Sequence, residues 1–461
     1  MPWVGDLGAA LSCLQTFVAQ LLVASIIIHL SALRPEPTIH LFRLFLPFAF
    51  APGLTGMVAR CTADLPQCGW DLWGAAFQAT PTLRAVQFLA AFNGLALVLD
   101  QFLPGDTKYG PETKTGHVPA YCDNAVAHCI VFTIVFVGAS NLLWDGYYDF
   151  GIMFDEFAPI LSCLNIIGLS LSAFLYVKGL NFPSTADCGS SGSMLIDFVW
   201  GTELYPRVFG VDIKRFVNCR FSMTFWMVAG LSFSYRSFTL HGEIDYGLLL
   251  GAVSQFLYLF KFFTWEIGYM RSIDIIVDRA GFEIQWGCLV WVPSLYTLHS
   301  RFCVVNPSGL SREAAGAIFA VGLLGVILNY IADLERQNFR ECDGKMKIWG
   351  KEPVYIKATY TALDPATNKQ VVRTSLLLAS GFWGVARHFH YVFELTAAWS
   401  WCFLANPFNN GVVPLFYAAF LTILLLHRAK RDEVKCTNKY GKDYSEKYCS
   451  IVPYLVLPGV Y

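Results

Sequence analysis

The sequence predicts an all-α polytopic membrane protein with about ten transmembrane helices. Only 15% of its 461 residues are charged and 55% are hydrophobic, whereas a soluble domain carries about 25% charged residues. A soluble chain of this length would still need polar side chains to cover its surface. The apolar residues also occur in long runs, so a multi-span helical protein fits both observations.

Seven apolar runs approach the roughly 20 residues that a helix needs to cross the hydrocarbon core. They are residues 11–33, 84–103, 125–143, 157–180, 245–263, 314–332 and 411–426. Shorter or more interrupted stretches lie near 41–58, 221–235, 284–298, 373–386 and 392–405. Together the two groups give the estimate of about ten spans.

Four polar connectors separate the apolar runs. Residues 103–121 and 183–193 are rich in Gly, Pro, Ser or Thr and are predicted to be loops, and a helix-like stretch follows the second. Residues 335–374 contain the alternating segments VYIKATYTAL and KQVVRT, which predict a short β-hairpin outside the membrane. The fourth connector runs from His427 to the C-terminus.

The distribution of charge predicts which side of the membrane these connectors occupy. The C-terminal tail is rich in Lys and Arg, and so is the connector 335–374. By the positive-inside rule both belong on the cytosolic side, where a soluble anionic cofactor would reach them. The net charge of −1 argues against nucleic acid as a partner.

The segment LLLHRAKRDEVKC places charged residues on shared helix faces. Arg428 and Asp432 are four residues apart, as are Arg431 and Lys435. One interpretation is a collar of cations that snorkel to the surface below a last transmembrane helix. The other is one wall of a cofactor pocket, which explains why an aspartate stands among the cations.

The segment LLLASGFWGVARHFHYVFEL at 376–395 carries a second candidate site. Trp383, Arg387 and Tyr391 are spaced i, i+4, i+8, which predicts a single stripe on one helix. An arginine in so apolar a stretch needs a partner or a wet cavity. Arg387 is therefore predicted either to pair with Glu394 or another acid, or to bind an anionic phosphate beside the two aromatic rings.

Two further segments complete the set of candidates. Arg336 and Arg340 are four residues apart, just after the run 314–332, and are either a solvated helix end or a part of the basic cluster. Tyr296 closes an aromatic stretch that follows Asp274 and Asp278. Such a tyrosine is either an interface anchor or a general acid beside an apolar cavity.

Several site types find no support in the sequence. There is no G-x-G-x-x-G after a strand and no Walker motif, so a dinucleotide would have to bind without a Rossmann domain. The 14 cysteines show no Cys-x-x-Cys and no nearby His pair, so we expect no metal site.

Taken together, these segments resemble the sterol reductase family, which includes C-14, C-24(28) and delta-7 (7-dehydrocholesterol) reductases and the membrane domain of the lamin B receptor. The most specific parts are LLHRAKRDEVKCTNKYG and DFVWGTELYPR, and their order along the chain matches the family. The likeness is greatest to plant-type delta-7 reductases. C-14 and C-24(28) members more often carry Asn at the position of Tyr205 and Asp at that of Cys288.

The resemblance implies a division of the chain and a cofactor. Residues 1–83 would be N-terminal transmembrane helices, and 84–461 the sterol reductase membrane domain, in which 310–461 forms most of a cytosol-facing NADPH pocket. By motif position the cofactor contacts would be Arg336, Arg340, Leu378, Trp383, His390, Tyr391, Arg428, Asp432, Cys436, Lys439, Tyr440 and Tyr448, with Arg387 added from its stripe. One extra residue between Gly441 and Tyr448 makes Tyr444 and Tyr448 compete for one role.

The resemblance also implies chemistry, partners and location. NADPH would reduce the C7=C8 bond of a 5,7-diene sterol that enters from the bilayer, with Asp432 and Tyr296 in the proton-delivery chain. The expected location is the endoplasmic reticulum membrane, with a cytosolic C-terminus and with lipids and other sterol-biosynthesis enzymes as neighbours. The alternatives are C-14 or C-24(28) reduction, and a non-catalytic sterol-binding protein. A transporter would instead carry its ionisable groups near mid-membrane.

Overall fold

The computed structural model describes residues 81–113, 115–142, 149–364 and 369–460, and these fall into two compact units. The first unit contains residues up to 113, 117–310 and 405–414. The second contains 114–116, 311–404 and 415–461. Its main segment begins at Ser311.

Five long helices dominate the described part of the first unit. They are α1 (Leu83–Phe102), α2 (Ala125–Leu142), α3 (Phe157–Asn181), α4 (Thr224–His241) and α5 (Tyr246–Thr264). Polar side chains fix where some of them begin: Thr82 accepts from the amide of Ala85, and Asp245 from those of Gly247 and Leu248. Such caps satisfy amide groups that the first helical turn leaves free. Helix α4 ends at Gly242, whose left-handed φ of 73° suits glycine.

Short elements connect these helices. Two hairpins pair β1 (Asp106–Tyr109) with β2 (Ala120–Asp123), and β3 (Arg207–Val208) with β4 (Val211–Asp212). Short helices lie at Ile152–Asp155, Met194–Trp200, Ile213–Arg215, Glu266–Tyr269, Ile273–Ile276, Phe282–Trp286, Leu298–Val305 and Pro407–Asn410. Two π-helical stretches lie at Phe216–Met223 and Gly287–Tyr296, and a 3-10 turn at Val413–Leu415. The predicted loop 103–121 thus contains one strand and the first residues of another, whereas 183–193 is a loop as predicted.

The first unit buries four charges that neutralise one another. Arg220 pairs with Asp100 at 2.8 Å and with Glu266, and Arg215 pairs with the same two carboxylates at 3.4 and 3.2 Å. The amide oxygen of Asn124 accepts a further hydrogen bond from Arg220 at 2.9 Å. Two cations and two carboxylates close together leave no net charge, which makes their burial tolerable.

The second unit combines three long helices with a β-hairpin. The helices are α6 (Arg312–Glu341), α7 (His390–Leu404) and α8 (Phe416–Tyr440). The hairpin pairs β5 (Tyr355–Asp364) with β6 (Lys369–Leu378), so the predicted hairpin is confirmed. A one-turn helix lies at Phe382–Val385, and a π-helical turn at Asp443–Tyr448 leads into a last short helix at Cys449–Ile451.

The described helices support a membrane protein with several spans. Five are long and apolar enough to cross a bilayer: Leu83–Phe102, Phe157–Asn181, Tyr246–Thr264, Arg312–Glu341 and Val413–Tyr440. A sixth is added if the pair Phe282–Tyr296 and Leu298–Val305, which bends by 41°, is one span. The predicted span at 373–386 is wrong, because strand β6 occupies residues 369–378. The predicted runs 11–33 and 41–58 lie outside the described residues, so the number ten stays a prediction.

Candidate functional site

All thirteen residues predicted to contact the cofactor lie in the second unit. The long helices carry Arg336 and Arg340 on α6, His390 and Tyr391 at the start of α7, and Arg428, Asp432, Cys436, Lys439 and Tyr440 on α8. Leu378 ends strand β6, Trp383 lies in the one-turn helix, Arg387 follows that helix, and Tyr448 ends the π-helical turn. Residues that are 112 positions apart in sequence thus belong to one compact unit.

Arg336 and Trp383 form a close contact within this group. The guanidinium carbon of Arg336 lies 3.8 Å from the centroid of the indole ring, a cation–π arrangement. The indole Nε1 donates to the carbonyl of Ala332 at 2.8 Å, and the ring of His390 lies 4.7 Å from that of Trp383. The indole is therefore held in place, and it fixes one face of the Arg336 guanidinium.

Arg340 lies one turn further along α6 and is differently surrounded. Its side chain is exposed, and it interacts electrostatically with Arg336 and with Tyr440, Tyr448 and Cys436. No carboxylate in the described part of the chain lies within ion-pair distance of it. Arg336 pairs with Asp333 at 3.5 Å on the same helix, whereas Arg340 lacks such a partner and is repelled by Arg336, so Arg340 suits a guest that carries phosphate.

The predicted stripe of Trp383, Arg387 and Tyr391 on one helix is wrong. The helix that holds Trp383 ends at Ala386, which is extended (φ −155°, ψ 156°), and α7 begins only at His390. The amides of Arg387 and His388 donate to the carbonyls of Tyr454 and Leu455 at 3.0 and 2.8 Å. Hydrogen bonds to the C-terminal segment thus replace those of a continuous helix.

The Arg387 side chain is engaged within the protein. One terminal nitrogen donates to the carbonyls of Val452 and Pro453 at 2.7 and 2.9 Å, and the other pairs with Glu433 at 2.6 Å. These contacts favour the structural alternative for this arginine, with Glu433 as its acid in place of Glu394. Its assignment to the cofactor stays a prediction, now with a competing set of partners.

Asp432 lies in a polar cluster that the sequence only partly indicated. Its carboxylate is 3.9 Å from Nε2 of His388, 3.5 Å from the Lys435 amine and 3.7 Å from Sγ of Cys436. His388 is buried and stacks on the ring of Tyr391, with centroids 5.2 Å apart. Burial lowers the pKa of His388 to about 4, so the imidazole is neutral near pH 7.

Sequence reasoning missed His388, although a signal was present. His388 and His390 flank Phe389, and only His390 matched a motif position. Because Ala386 is extended and a turn at residues 387–389 precedes α7, His388 reaches Asp432 while His390 reaches Trp383. Tyr391 interacts electrostatically with both Arg428 and Asp432, which brings these predicted residues around one ring.

The hairpin contributes a second aromatic contact to α8. The Lys439 amine lies 4.1 Å from the ring centroid of Tyr360 and 5.1 Å from that of Tyr440. The two rings meet edge to face at 5.7 Å. Tyr360 was not among the predicted site residues, because only the pairing of β5 against α8 reveals it.

The π-helical turn at Asp443–Tyr448 bears on the choice between Tyr444 and Tyr448. A π turn holds one more residue than an α turn, which accommodates the extra residue noted between Gly441 and Tyr448. The Tyr448 hydroxyl donates to the carbonyl of Leu378 at 3.0 Å. The Tyr448 phenol also interacts electrostatically with Arg336 and Arg340. Tyr444 stacks on Tyr448 at 5.5 Å and faces Glu433 and Cys436 instead. Tyr448 is thus the tyrosine on the arginine side.

Tyr296 belongs to the first unit, whereas Asp432 belongs to the second. It ends the π-helical stretch Gly287–Tyr296, is half-buried, and meets Trp226 edge to face at 5.1 Å. Its joint role with Asp432 stays a prediction.

Comparison with known proteins gives consistent matches over most of the chain. The model of the "Ergosterol biosynthesis ERG4/ERG24 family" matches residues 68–461. A 7-dehydrocholesterol reductase of Arabidopsis thaliana is 41% identical over 382 residues, which cover 83% of this chain and 86% of the relative. A 7-dehydrocholesterol reductase of Danio rerio is 33% identical over 84% of this chain and 80% of the relative. A Delta(14)-sterol reductase of Methylotuvimicrobium alcaliphilum is also 33% identical, covering 83% and 84%.

Proposed function

The chain belongs to the ergosterol biosynthesis ERG4/ERG24 family, and on that premise we propose that it reduces the C7=C8 double bond of 5,7-diene sterols with NADPH. The observation that carries the choice of bond is the 41% identity to a plant 7-dehydrocholesterol reductase over 83% of the chain. The match to a Delta(14)-sterol reductase at 33% makes C-14 reduction the second candidate, ahead of C-24(28) reduction.

The second unit supplies groups that fit NADPH. Arg336 and Arg340 lie together, and Arg340 has no carboxylate partner among the described residues, so a phosphate group would relieve their repulsion. Trp383 holds Arg336 in place through its ring, and Lys439 supplies a further cation. When bound, NADPH would supply the hydride.

The chain must then supply a proton and keep water away. Protonation of a 5,7-diene at C8 leaves an allylic cation over C5 to C7, and the new C–H bond at C7 completes the reduction. Asp432 is the proposed member of the proton-delivery chain in the second unit, and Tyr296 the one in the first. His388 holds one side of the Asp432 carboxylate, and its buried ring stacks on Tyr391.

The apolar helices support lateral entry of the substrate. A sterol is nearly insoluble in water, so we propose that it reaches the site from the bilayer. The basic tail and the connector 335–374 support a cytosolic C-terminus by the positive-inside rule. We place the protein in the endoplasmic reticulum membrane, with lipids and other sterol-biosynthesis enzymes as neighbours, because its relatives are named as sterol reductases.

The proposal is tested by incubating membranes that contain the full chain with NADPH and one sterol at a time. The sterols are 7-dehydrocholesterol, a delta-14 sterol and a delta-24(28) sterol. We expect loss of the conjugated-diene absorption with the first and little conversion of the others. Conversion of the delta-14 sterol alone would favour the second candidate, and binding of sterols without conversion would favour a non-catalytic protein.

Asp432→Asn and Tyr296→Phe test the proton-delivery assignment in the same membranes. Glu446→Gln is a matched control for the carboxylate, because Glu446 is exposed and pairs only with Lys442 among the described residues, at 3.3 Å. Full activity in both test variants would overturn the assignment.

A further inference from the structure

Three segments, residues 103–124, 201–215 and 265–281, meet at one end of the first unit beside a cluster of buried side chains. Helices α1 and α5 end there, at Phe102 and Thr264, and α2 begins there at Ala125. Arg207 donates to the carbonyl of Ala120 at 2.9 Å, and the amine of Lys214 to that of Ile275 at 2.9 Å, so the segments are tied together. The cluster, here called the tyrosine chamber, consists of Tyr121, Leu204, Tyr205, Cys219, Met270 and Ile275.

Two phenol groups in the tyrosine chamber are buried without a hydrogen bond. Tyr121 is 5% exposed and Tyr205 is 2% exposed. Neither hydroxyl makes a hydrogen bond to any residue in the described ranges. A hydroxyl removed from water without a partner costs free energy, and most buried ones in folded proteins have a partner. Two unpartnered hydroxyls in one cluster therefore indicate a place for a guest that hydrogen-bonds.

The charges around the chamber restrict what the guest can be. Tyr121 and Tyr205 both interact electrostatically with the Asp212 carboxylate, and Tyr121 also with Tyr205. The nearby cations are engaged by the protein. Lys214 donates to the carbonyls of Ile275 and Asp278, and Arg207, which acts on Tyr121, donates to that of Ala120. Arg215 and Arg220, which act on Cys219, are paired with Asp100 and Glu266. An anionic guest would face a carboxylate with these cations engaged elsewhere, so a neutral guest fits better.

The phenols remain hydrogen-bond donors over the working pH range. Burial raises the pKa of both Tyr121 and Tyr205 well above the ordinary value, so both keep their protons. A protonated phenol both donates and accepts, and an alcohol needs one of each. Leu204, Met270 and Ile275 pack in the same cluster and add apolar side chains beside the two tyrosines.

We propose that the tyrosine chamber binds the 3-hydroxyl of the sterol, with the phenols of Tyr121 and Tyr205 as its hydrogen-bond partners. This inference rests on the proposed function for the identity of the ligand. An amphipathic sterol places its hydroxyl near the membrane surface and its rings among apolar groups, and the chamber lies where the transmembrane helices of the first unit end. The chamber would then distinguish a sterol alcohol from a molecule with the same rings and no hydroxyl.

The test pairs a change in the protein with a change in the substrate. The full chain, wild type or Tyr121→Phe/Tyr205→Phe, is assayed with 7-dehydrocholesterol and with its 3-deoxy analogue, cholesta-5,7-diene. We expect the KM of the wild type to be about tenfold lower for the alcohol than for the 3-deoxy diene. This difference corresponds to roughly one or two hydrogen bonds. The double variant should lose this preference while its kcat on the 3-deoxy diene stays unchanged. Tyr235→Phe is the control, since Tyr235 packs on Phe150 outside the chamber.

A binding measurement separates failure of the chamber from failure of the proposed function. Equilibrium binding of the same two sterols to the purified chain is measured without any reductant. Suppose that the wild type binds the alcohol more tightly than the 3-deoxy diene, and that the double variant loses this preference, while no sterol is reduced. That result would support the tyrosine chamber as a binding site and overturn the proposed reaction. If wild type and double variant show the same preference for the alcohol over the 3-deoxy diene, in binding and in KM, the proposal is overturned. The two phenols would then bind only trapped water. The phenylalanines keep the rings in place, so a thermal midpoint equal to wild type will confirm that the variant is folded.

Discussion

Replacing Arg340 by methionine should weaken cofactor binding without weakening the fold. The side chain is exposed, has no carboxylate partner among the described residues, and faces the cation of Arg336. Removing it breaks no ion pair in that part of the chain and relieves a repulsion between like charges. The free energy of unfolding of the unliganded protein should therefore stay the same or rise slightly.

The expected loss of affinity follows from the contact that Arg340 is proposed to make. A hydrogen bond to a charged group is worth about 1.5–3 kcal/mol, and each 1.4 kcal/mol is a factor of ten in affinity. The KM for NADPH should rise roughly 10- to 100-fold in Arg340→Met, with kcat changed by less than about threefold. Arg340→Lys should recover part of this loss, because it restores the charge without the planar guanidinium.

The assay is steady-state reduction of the 5,7-diene at saturating sterol and varied NADPH, with thermal unfolding measured in parallel. Lys357→Met is the matched control, since it removes an exposed cation from strand β5 of the same unit. An unchanged KM in Arg340→Met would refute the placement of phosphate at this arginine. A large drop in the unfolding midpoint would instead show that Arg340 serves the fold.

Three further predictions concern the surroundings of Asp432. Asp432→Asn should lower kcat about 100-fold with the KM for NADPH within threefold, whereas a rise in KM alone would show that the carboxylate orients the cofactor. Arg387→Met should lower the free energy of unfolding by about 2 kcal/mol in denaturant titrations, because it strands Glu433 and two carbonyls; unchanged unfolding would contradict this. The folded chain keeps His388 neutral down to about pH 4, while the unfolded chain takes up that proton near 6.5. Stability should therefore fall by about 3 kcal/mol as the pH drops through that window, and His388→Gln should remove this part of the loss.

The helices of the described chain were predictable because their cause is local. Long apolar runs such as 157–180 and 245–263 became α3 and α5 with ends shifted by one residue. The alternation in VYIKATYTAL likewise predicted strand β5. In each case the period of apolar residues carried the information, and no distant contact was needed to choose between helix and strand.

The break at Ala386 was not predictable from the same rules. The spacing of Trp383, Arg387 and Tyr391 is helical, and no proline interrupts it. The chain instead extends because its amides bond to carbonyls of residues 454 and 455, some 67 positions away. Tertiary pairing overrode the local pattern there, and it changed the inferred role of Arg387.

The resemblance named the members of the candidate site, but the sequence did not show their contacts with one another. Arg336, Asp432 and Tyr448 lie in one compact unit, and their role toward a cofactor stays a prediction. The resemblance did not reveal His388 or Tyr360, whose places depend on the break in the helix at Ala386 and on the packing of β5 against α8. The unpartnered phenols of the tyrosine chamber were beyond reach as well, because a missing hydrogen bond is visible only in three dimensions.

Reduction of the C7=C8 bond is tested most simply by the ultraviolet absorption of 7-dehydrocholesterol incubated with the purified full chain and NADPH. The conjugated-diene absorption should disappear with NADPH consumed in equal amount, and it should persist when NADPH is left out. Persistence of the diene with active NADPH present, while a delta-14 sterol is reduced by the same preparation, would rule out the C7=C8 bond as the bond that is reduced.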